Sequence, residues 1–237
     1  MAGHSHWATI KHKKAKEDAK RGKVFTKLVK EITVAARVGG GDPAGNPHLR
    51  LLIEKAKSIN MPLENTQRAI KKGTGELPGQ QYEEITYEGY GPGGIAVMVD
   101  TLTDNKNRTV AELRRLFTEN GGTLADTGAV GWMFERLGVI RVTGKTNEDA
   151  LLELLIDYDI KDISQDENLF IIQTDIKSLE AIKQVLIKAG LTVESAEIEW
   201  VAKDDVPVSE SKQAEAYEFL SAIEDHDDVQ NIYTNMA

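Results

Sequence analysis

The sequence predicts an α+β protein: an N-terminal three-helix bundle, then an α/β domain with an inserted ferredoxin-like βαββαβ domain. Three observations support this fold class. Apolar residues recur at helical spacing up to residue 73, strand and helix patterns alternate from residue 82, and one complete β-α-β-β-α-β order lies within the second part. The expected domains are residues 1–75, residues 80–136 together with 205–237, and residues 137–204.

The N-terminal segment contains three amphipathic helices. The first follows Lys23 and is expected to end at the glycines of residues 39–41, because glycine accepts the left-handed conformation at a helix C-terminus. Asn46-Pro47 is typical of an N-cap followed by proline in the first turn. A third helix is expected from Pro62 to Gly73. Helices of this kind with short connections pack as a small bundle.

The second part begins as a β-hairpin. Two strands, 82–87 and 95–102, flank a glycine-rich turn, and a helix follows over 107–120. Trp132–Phe134 is predicted as a buried strand. The last helix and a strand at 229–233 follow a module that is already complete, so we expect them to return to the sheet begun at Tyr82.

That complete module is the inserted one. Its predicted elements are strand 139–142, a helix marked by Leu151 to Tyr158, strands 160–164 and 169–174, a helix over 179–189 and strand 192–201. In the last strand, the apolar Ala196, Ile198 and Trp200 alternate with Glu197 and Glu199. This alternation predicts a strand with one apolar and one polar face.

Charge is divided unevenly along the chain. Up to Lys72 there are 16 Lys and Arg against 6 Asp and Glu, a net charge of +10. The remaining residues hold 13 against 32, a net charge of −19, so the overall −9 hides a basic segment. Such a segment favours contact with nucleic acid. The alternative is that the basic helices lie against the acidic domains of the same chain.

The densest basic run precedes the first helix and contains most of the candidate site. The candidate nucleic-acid-binding residues are Trp7, Lys11, His12, Lys13, Lys14, Lys16, Lys20, Arg21, Lys23 and Lys27. Lysines that neutralise phosphates release counterions, and this release favours binding. Trp7 is suited to stack on a base, or alternatively to plug the bundle as an apolar residue.

The candidate motifs for catalysis and cofactor binding lack the spacing or the neighbouring structure that such sites require. The glycines of residues 89–94 precede a strand instead of a helix, which favours a hairpin turn over a dinucleotide site. Residues 138–146 have five residues between the P-loop glycines instead of four. Residues 225–228 are interpreted as a charged turn, not a metal site. We therefore expect no enzyme activity, no cofactor, no metal and no small-molecule substrate.

Location follows from two further absences in the sequence. The chain has no cysteine, which excludes disulfides and thiolate metal sites and fits a reducing compartment. No apolar run approaches the roughly 18 residues of a membrane-spanning helix. The expectation is a cytoplasmic protein without a membrane partner.

Four segments of the sequence closely resemble the YebC/PmpR family. They are AGHSHWATIKHKKAKEDAKRGKVFTKLVKEITVAARVGGGDPAGNPHLR, NMPLENTQRAIKKGTGE, YEGYGPGGIAVMVDTLTDNKNRT and GTLADTGAVGWMFERLG. The resemblance implies three domains, one helical and two α/β. His6 and Thr9 stand where many relatives carry lysine and asparagine, which slightly lowers the basic charge at the N-terminus.

The same resemblance implies two alternative functions. Bacterial members are described as probable DNA-binding transcriptional regulators, which makes regulation of transcription the first expectation. Mitochondrial relatives are translational activators, and bacterial members are also linked to ribosomes and to proline-rich nascent sequences. The alternative is therefore a ribosome-associated translation factor that binds RNA. A protein-binding adaptor that uses the acidic domains is a further alternative.

Overall fold

The structure, a computed structural model, describes residues 21–237, and side chains from residue 22 onward. The helices are α1 (Arg21–Gly39), α2 (Pro47–Ser58), α3 (Leu63–Gly73), α4 (Lys106–Glu119), α5 (Glu148–Leu154), α6 (Leu179–Lys188) and α7 (Glu210–Glu224). The strands are β1 (Glu83–Tyr90), β2 (Ala96–Thr103), β3 (Thr123–Ala125), β4 (Phe134–Thr143), β5 (Ile160–Asp166), β6 (Leu169–Thr174), β7 (Thr192–Ala202) and β8 (Val229–Thr234). This α+β content confirms the predicted fold class.

The helices α1, α2 and α3 share one apolar core. Its buried members are Leu28, Ile32, Ala35, Ala36, Leu49, Leu52, Ala56, Met61 and Ala69. Asn46 joins α1 to α2: its Oδ1 accepts the N–H of Leu49 at 3.0 Å, and its Nδ2 donates to the carbonyls of Ala35 and Gly40 at 2.8 and 2.9 Å. The predicted N-cap is confirmed, and the same amide ties the start of α2 to carbonyls in and just after the last turns of α1.

The first sheet has the strand order β3-β1-β2-β8. Strands β1 and β2 form the predicted antiparallel hairpin, paired from Glu83 with Thr103 to Tyr90 with Ala96. The C-terminal strand β8 lies at the edge beside β2, so the predicted return of the chain to this sheet is confirmed. Helices α4 and α7 pack together through Phe117 and Phe219, whose ring centroids are 5.0 Å apart in an edge-to-face arrangement.

The second sheet has the strand order β5-β6-β4-β7, the order of a ferredoxin-like sandwich. Helices α5 and α6 cover one face. Their shared core consists of Ile140, Val142, Leu151, Leu155, Phe170, Ile172, Ile182 and Leu186. The βαββαβ order that the sequence predicted is confirmed.

The described chain divides into two compact units. One contains residues 131–206 together with 233–237, and the other contains the residues up to 130 together with 207–232. Within the first unit, the N–H of Lys203 donates to the carbonyl of Met133 at 2.9 Å, so the chain enters and leaves the inserted segment at one place. Strand β4 already begins at Phe134, three residues before the expected boundary at 137.

Two local predictions are wrong in part. Phe134 is buried and begins β4 as expected, but Gly131–Met133 form a 3₁₀ turn, and Trp132 is 66% exposed instead of buried in a strand. In β7, Glu199 pairs with the buried Arg141 while Ile198 is exposed, which reverses the expected polar and apolar faces at these positions. Both errors have one cause, since short apolar or alternating patterns do not reveal what packs against each face.

None of the helices in residues 21–237 combines the length and the hydropathy that crossing a bilayer requires.

Candidate nucleic-acid interface

The structure describes only part of the predicted interface. Trp7, Lys11, His12, Lys13, Lys14, Lys16 and Lys20 lie outside the described residues, and Arg21 is the first residue of α1. Lys23 and Lys27 are therefore the predicted residues whose side-chain contacts can be described.

Lys23 and Lys27 both contact the C-terminal end of α7. The Nζ of Lys23 donates to the carbonyl of Asp225 at 3.0 Å, and the Nζ of Lys27 donates to the carbonyl of Glu224 at 2.7 Å. Carbonyls at a helix C-terminus carry the negative end of the helix dipole and attract ammonium groups. For these two lysines, the observed partners belong to the acidic part of the same chain, as the alternative interpretation of the charge division expected.

A third lysine of α1, one turn further on, forms a buried ion pair. The Nζ of Lys30 lies 2.6 Å from Oδ1 of Asp228 and 3.0 Å from the carbonyl of Asp227. The other oxygen of Asp228 accepts hydrogen bonds from Arg108 at 2.7 Å and from the hydroxyl of Thr109 at 2.8 Å. One carboxylate therefore connects α1, the first turn of α4 and the turn before β8.

The protonation state of this carboxylate follows from its partners. Burial alone raises the pKa of Asp228, but the hydrogen bonds from Lys30, Arg108 and Thr109 outweigh burial and hold that pKa well below its usual value. The hydrogen bond to Asp228 in turn raises the pKa of the Arg108 guanidinium. Both groups are thus charged at neutral pH, and α1 is held against the α/β part of this unit by a charged contact with satisfied hydrogen bonds.

The neighbouring His226 and Glu112 complete a cluster of possible metal ligands with Asp228. The Nδ1 of His226 accepts the N–H of Asp228 at 3.1 Å, so its Nε2 carries the proton and donates to Glu112 at 2.8 Å. Lys30 and Arg108 already neutralise the Asp228 carboxylate. Hydrogen bonds and ion pairs within the described residues therefore account for the position of each of these three side chains.

Four other cations of the helical part are differently placed. The side chains of Lys57, Arg68, Lys71 and Lys72 make no hydrogen bond or ion pair to any residue that the structure describes. Of these, Arg68 and Lys72 line an open groove between α1 and α3. Arg68 and Lys72 are not among the residues predicted from the sequence to bind nucleic acid. Their spacing of four residues on a helix was the available signal, because it places both on one face.

Comparison with known proteins identifies the family. Residues 5–76 match the family model described as TACO1/YebC protein N-terminal domain, and residues 82–236 match the model described as TACO1/YebC second and third domain. A probable transcriptional regulatory protein of Chlorobaculum tepidum is 53% identical, with 100% of this chain and 95% of that protein covered. One of Chlorobium chlorochromatii is 52% identical over the same shares.

A solved structure is also similar. The crystal structure of a conserved hypothetical protein from Aquifex aeolicus has a TM-score of 0.88 and 48% sequence identity, and the match covers 98% of this chain and 97% of that one. The two matching family models together cover nearly the whole chain, and the resemblance to YebC/PmpR proteins is confirmed. The chain therefore belongs to the TACO1/YebC family, whose bacterial relatives are named probable transcriptional regulatory proteins.

Proposed function

We propose that this protein is a non-enzymatic nucleic-acid-binding regulator of gene expression, acting in the cytoplasm as a DNA-binding transcriptional regulator. The observation that carries the proposal is the net charge of +10 up to Lys72 against −19 in the remainder. A basic segment gains free energy on a polyanion by releasing counterions, even when the whole chain is acidic. The names of the bacterial relatives support the regulatory part of the proposal.

The basic run from Lys11 to Lys16, with Lys20 and Arg21, is the proposed phosphate-binding segment. Beside it, Trp7 is proposed to stack on a base and His12 to make a polar contact. Lysine ammonium groups act as point charges on phosphates and carry little information about bases. For this reason the same segment supports a second candidate function, that of a ribosome-associated factor that binds RNA during translation. Lysine-rich phosphate contact serves RNA as well as DNA.

The proposal is tested by replacing Lys11, Lys13, Lys14 and Lys16 together with Gln. Affinity for duplex DNA and for structured RNA should fall for every sequence, and the slope of log affinity against log salt should become shallower by up to about 0.9 per lost duplex contact. A matched control replaces four exposed lysines of the acidic remainder, Lys106, Lys145, Lys177 and Lys188. Equal losses in both variants, or an unchanged salt slope in the first, would reject the segment as the binding site.

Two experiments in cells distinguish DNA from RNA as the physiological partner. Genome-wide DNA crosslinking should recover the wild-type protein at discrete promoters if it regulates transcription directly. The variant with Lys11, Lys13, Lys14 and Lys16 replaced should lose that signal. Co-sedimentation with ribosomes that depends on the same lysines, without promoter crosslinks, would instead establish the translational candidate. Neither association would reject both functions.

A further inference from the structure

The groove between α1 and α3 has an apolar floor and a polar rim. Phe25 and Val29 of α1 and the buried Ala69 of α3 form the floor. Asn65, Arg68 and Lys72 of α3 form one rim. Its volume is about 280 Å³, just below the range of roughly 300–1,000 Å³ for small-molecule pockets. A groove of this volume fits one small group better than a second helix.

The rim supplies hydrogen-bond donors that are free to bind a ligand. The side chains of Arg68 and Lys72 make no hydrogen bond or ion pair within residues 22–237, whereas the ammonium groups of Lys23, Lys27 and Lys30 on the opposite helix are all bonded to the α/β part of their unit. The side chain of Asn65 likewise has no hydrogen-bond partner among the described residues. An anion on this rim would therefore meet two cations without displacing any internal ion pair.

An apolar, aromatic floor beside a cationic rim matches the chemistry of a nucleotide. Bases stack on aromatic rings in single-strand binding proteins while basic side chains follow the phosphates. A duplex hides the faces of its bases, so only an unpaired nucleotide presents both groups to one groove. The groove also lies along the first half of α1, the helix that directly follows the basic run of residues 11–16 in the sequence.

We propose that this groove binds an unpaired nucleotide of a single-stranded nucleic acid, with the base against Phe25 and the phosphate on Arg68 and Lys72. The inference rests on the proposed function and adds a defined site to it. The shared chemistry is a phosphodiester with an exposed base, which single-stranded RNA and single-stranded DNA both supply. The site is separate from the N-terminal lysines in the sequence, so its contribution to binding can be tested independently of theirs.

The experiment measures binding of labelled oligonucleotides of about 12 bases, within the site sizes of single-strand binders, to the full chain by fluorescence anisotropy. The variant Arg68→Gln/Lys72→Gln should bind single strands about 10- to 30-fold more weakly in 0.1 M salt, and its salt slope should be shallower by about 1.4. The matched control is Lys57→Gln/Lys71→Gln, which removes the same charge from exposed positions outside the groove. It should retain most of the affinity.

A second variant separates stacking from charge. Phe25→Leu keeps an apolar side chain in the floor and should weaken single-strand binding about fivefold or more with an unchanged salt slope. Thermal unfolding of each variant checks that the bundle is intact. Single-stranded RNA, single-stranded DNA, the matching duplex and a poly-glutamate peptide are the four probes.

The outcomes distinguish this inference from the function on which it rests. If the wild-type protein binds no nucleic acid, the proposed function fails and the groove fails with it. If the wild type binds but both double variants lose affinity equally, the function stands and the groove is rejected. If Arg68→Gln/Lys72→Gln lost as much affinity for the duplex or for poly-glutamate as for single strands, the groove would not be a site for an unpaired nucleotide. Full single-strand affinity in a folded Phe25→Leu variant would also reject the proposed stacking of a base. A larger loss for RNA or for DNA would identify the source of the strand.

Discussion

At the scale of single residues, Asp228 connects three segments that lie far apart in the sequence. Its carboxylate is buried and is bound by Lys30, Arg108 and Thr109. Burying charges costs free energy, which the partners offset only when every hydrogen-bonding group is satisfied. Removing one partner is much more destabilising than the pair itself is stabilising, because the remaining charge stays buried without compensation. Asp228 should therefore be among the residues most sensitive to substitution.

We predict that Asp228→Asn lowers the free energy of unfolding by about 3–5 kcal/mol at neutral pH, as expected for breaking a buried ion pair. Asp227→Asn makes the same change of charge at an exposed neighbour and should stay within about 0.5 kcal/mol of the wild type. Urea unfolding of the three proteins measures both values. An equal effect of the two substitutions would show that only net charge matters.

The stability difference between the wild type and Asp228→Asn should depend on pH in a defined way. The pKa of Asp228 is lowered in the folded state, so the stability that its charge contributes is complete above the unfolded value of about 3.9. It is lost progressively as pH falls from there towards the folded pKa. The difference between wild type and Asp228→Asn should thus be constant from neutral pH to about pH 5 and shrink below about pH 4. A difference that grows on acidification would contradict the assignment.

The contrast between Asn46 and Asp228 shows what the sequence can predict at this scale. The capping bond of Asn46 is to Leu49, three residues away, and an Asn-Pro pair before an apolar stripe was enough to predict it. Asp228 acts on residues more than a hundred positions away, so a run of charged residues gave no indication of its burial. For Lys23 and Lys27 the charge division left two alternatives open, nucleic acid or the acidic part of the chain, since helical periodicity shows which face is polar but not what lies against it.

At the scale of elements, the order of helices and strands was predictable and the side-chain contacts between strands were not. Runs of apolar residues with clear turn residues predicted the ferredoxin-like order. The pair of Arg141 with Glu199 crosses from β4 to β7, with Nη2 3.0 Å from Oε2, and turns a predicted polar face into a buried one. The groove between α1 and α3 was also unpredicted, since it depends on how two helices pack.

We propose that residues 131–206 fold as an independent unit, because entry and exit of this segment are joined by the hydrogen bond between Lys203 and Met133. The excised fragment should unfold cooperatively in urea and show dispersed amide signals. The shorter fragment 139–201 lacks the first half of β4, which pairs with Ile198 to Ala202. It should be clearly less stable. An unfolded 131–206 fragment would show that this unit depends on the rest of the chain.

At the scale of the whole molecule, the divided charge gives a protein of net charge −9 that should still bind a polyanion. Electrostatic interactions are screened beyond about 10 Å in 0.1 M salt. A polyanion close to the basic segment is therefore attracted by the lysines of that segment, whatever the total charge of the protein is. The acidic remainder acts mainly by lowering non-specific association elsewhere on the surface.

We predict that the full chain is retained near neutral pH both by an anion exchanger and by phosphocellulose. Replacing Lys11, Lys13, Lys14 and Lys16 with Gln should lower the salt concentration that elutes it from phosphocellulose and raise the one that elutes it from the anion exchanger. The control with Lys106, Lys145, Lys177 and Lys188 replaced should change only on the anion exchanger. Passage of the wild type through phosphocellulose at low salt would contradict a localised basic segment.

The ion pair of Lys30 with Asp228 also sets the order of events during synthesis on the ribosome. Its two residues are separated by 198 positions, and bacterial and eukaryotic ribosomes add about 5–20 residues per second. Lys30 therefore emerges roughly 10–40 s before its partner exists. Residues 131–206 are complete in the meantime, whereas the contact of α1 with Asp228 can form only after residue 228 has been made. Helix α1 can thus pack with α2 and α3 well before it contacts the turn before β8, and until then the ammonium group of Lys30 lacks this carboxylate partner.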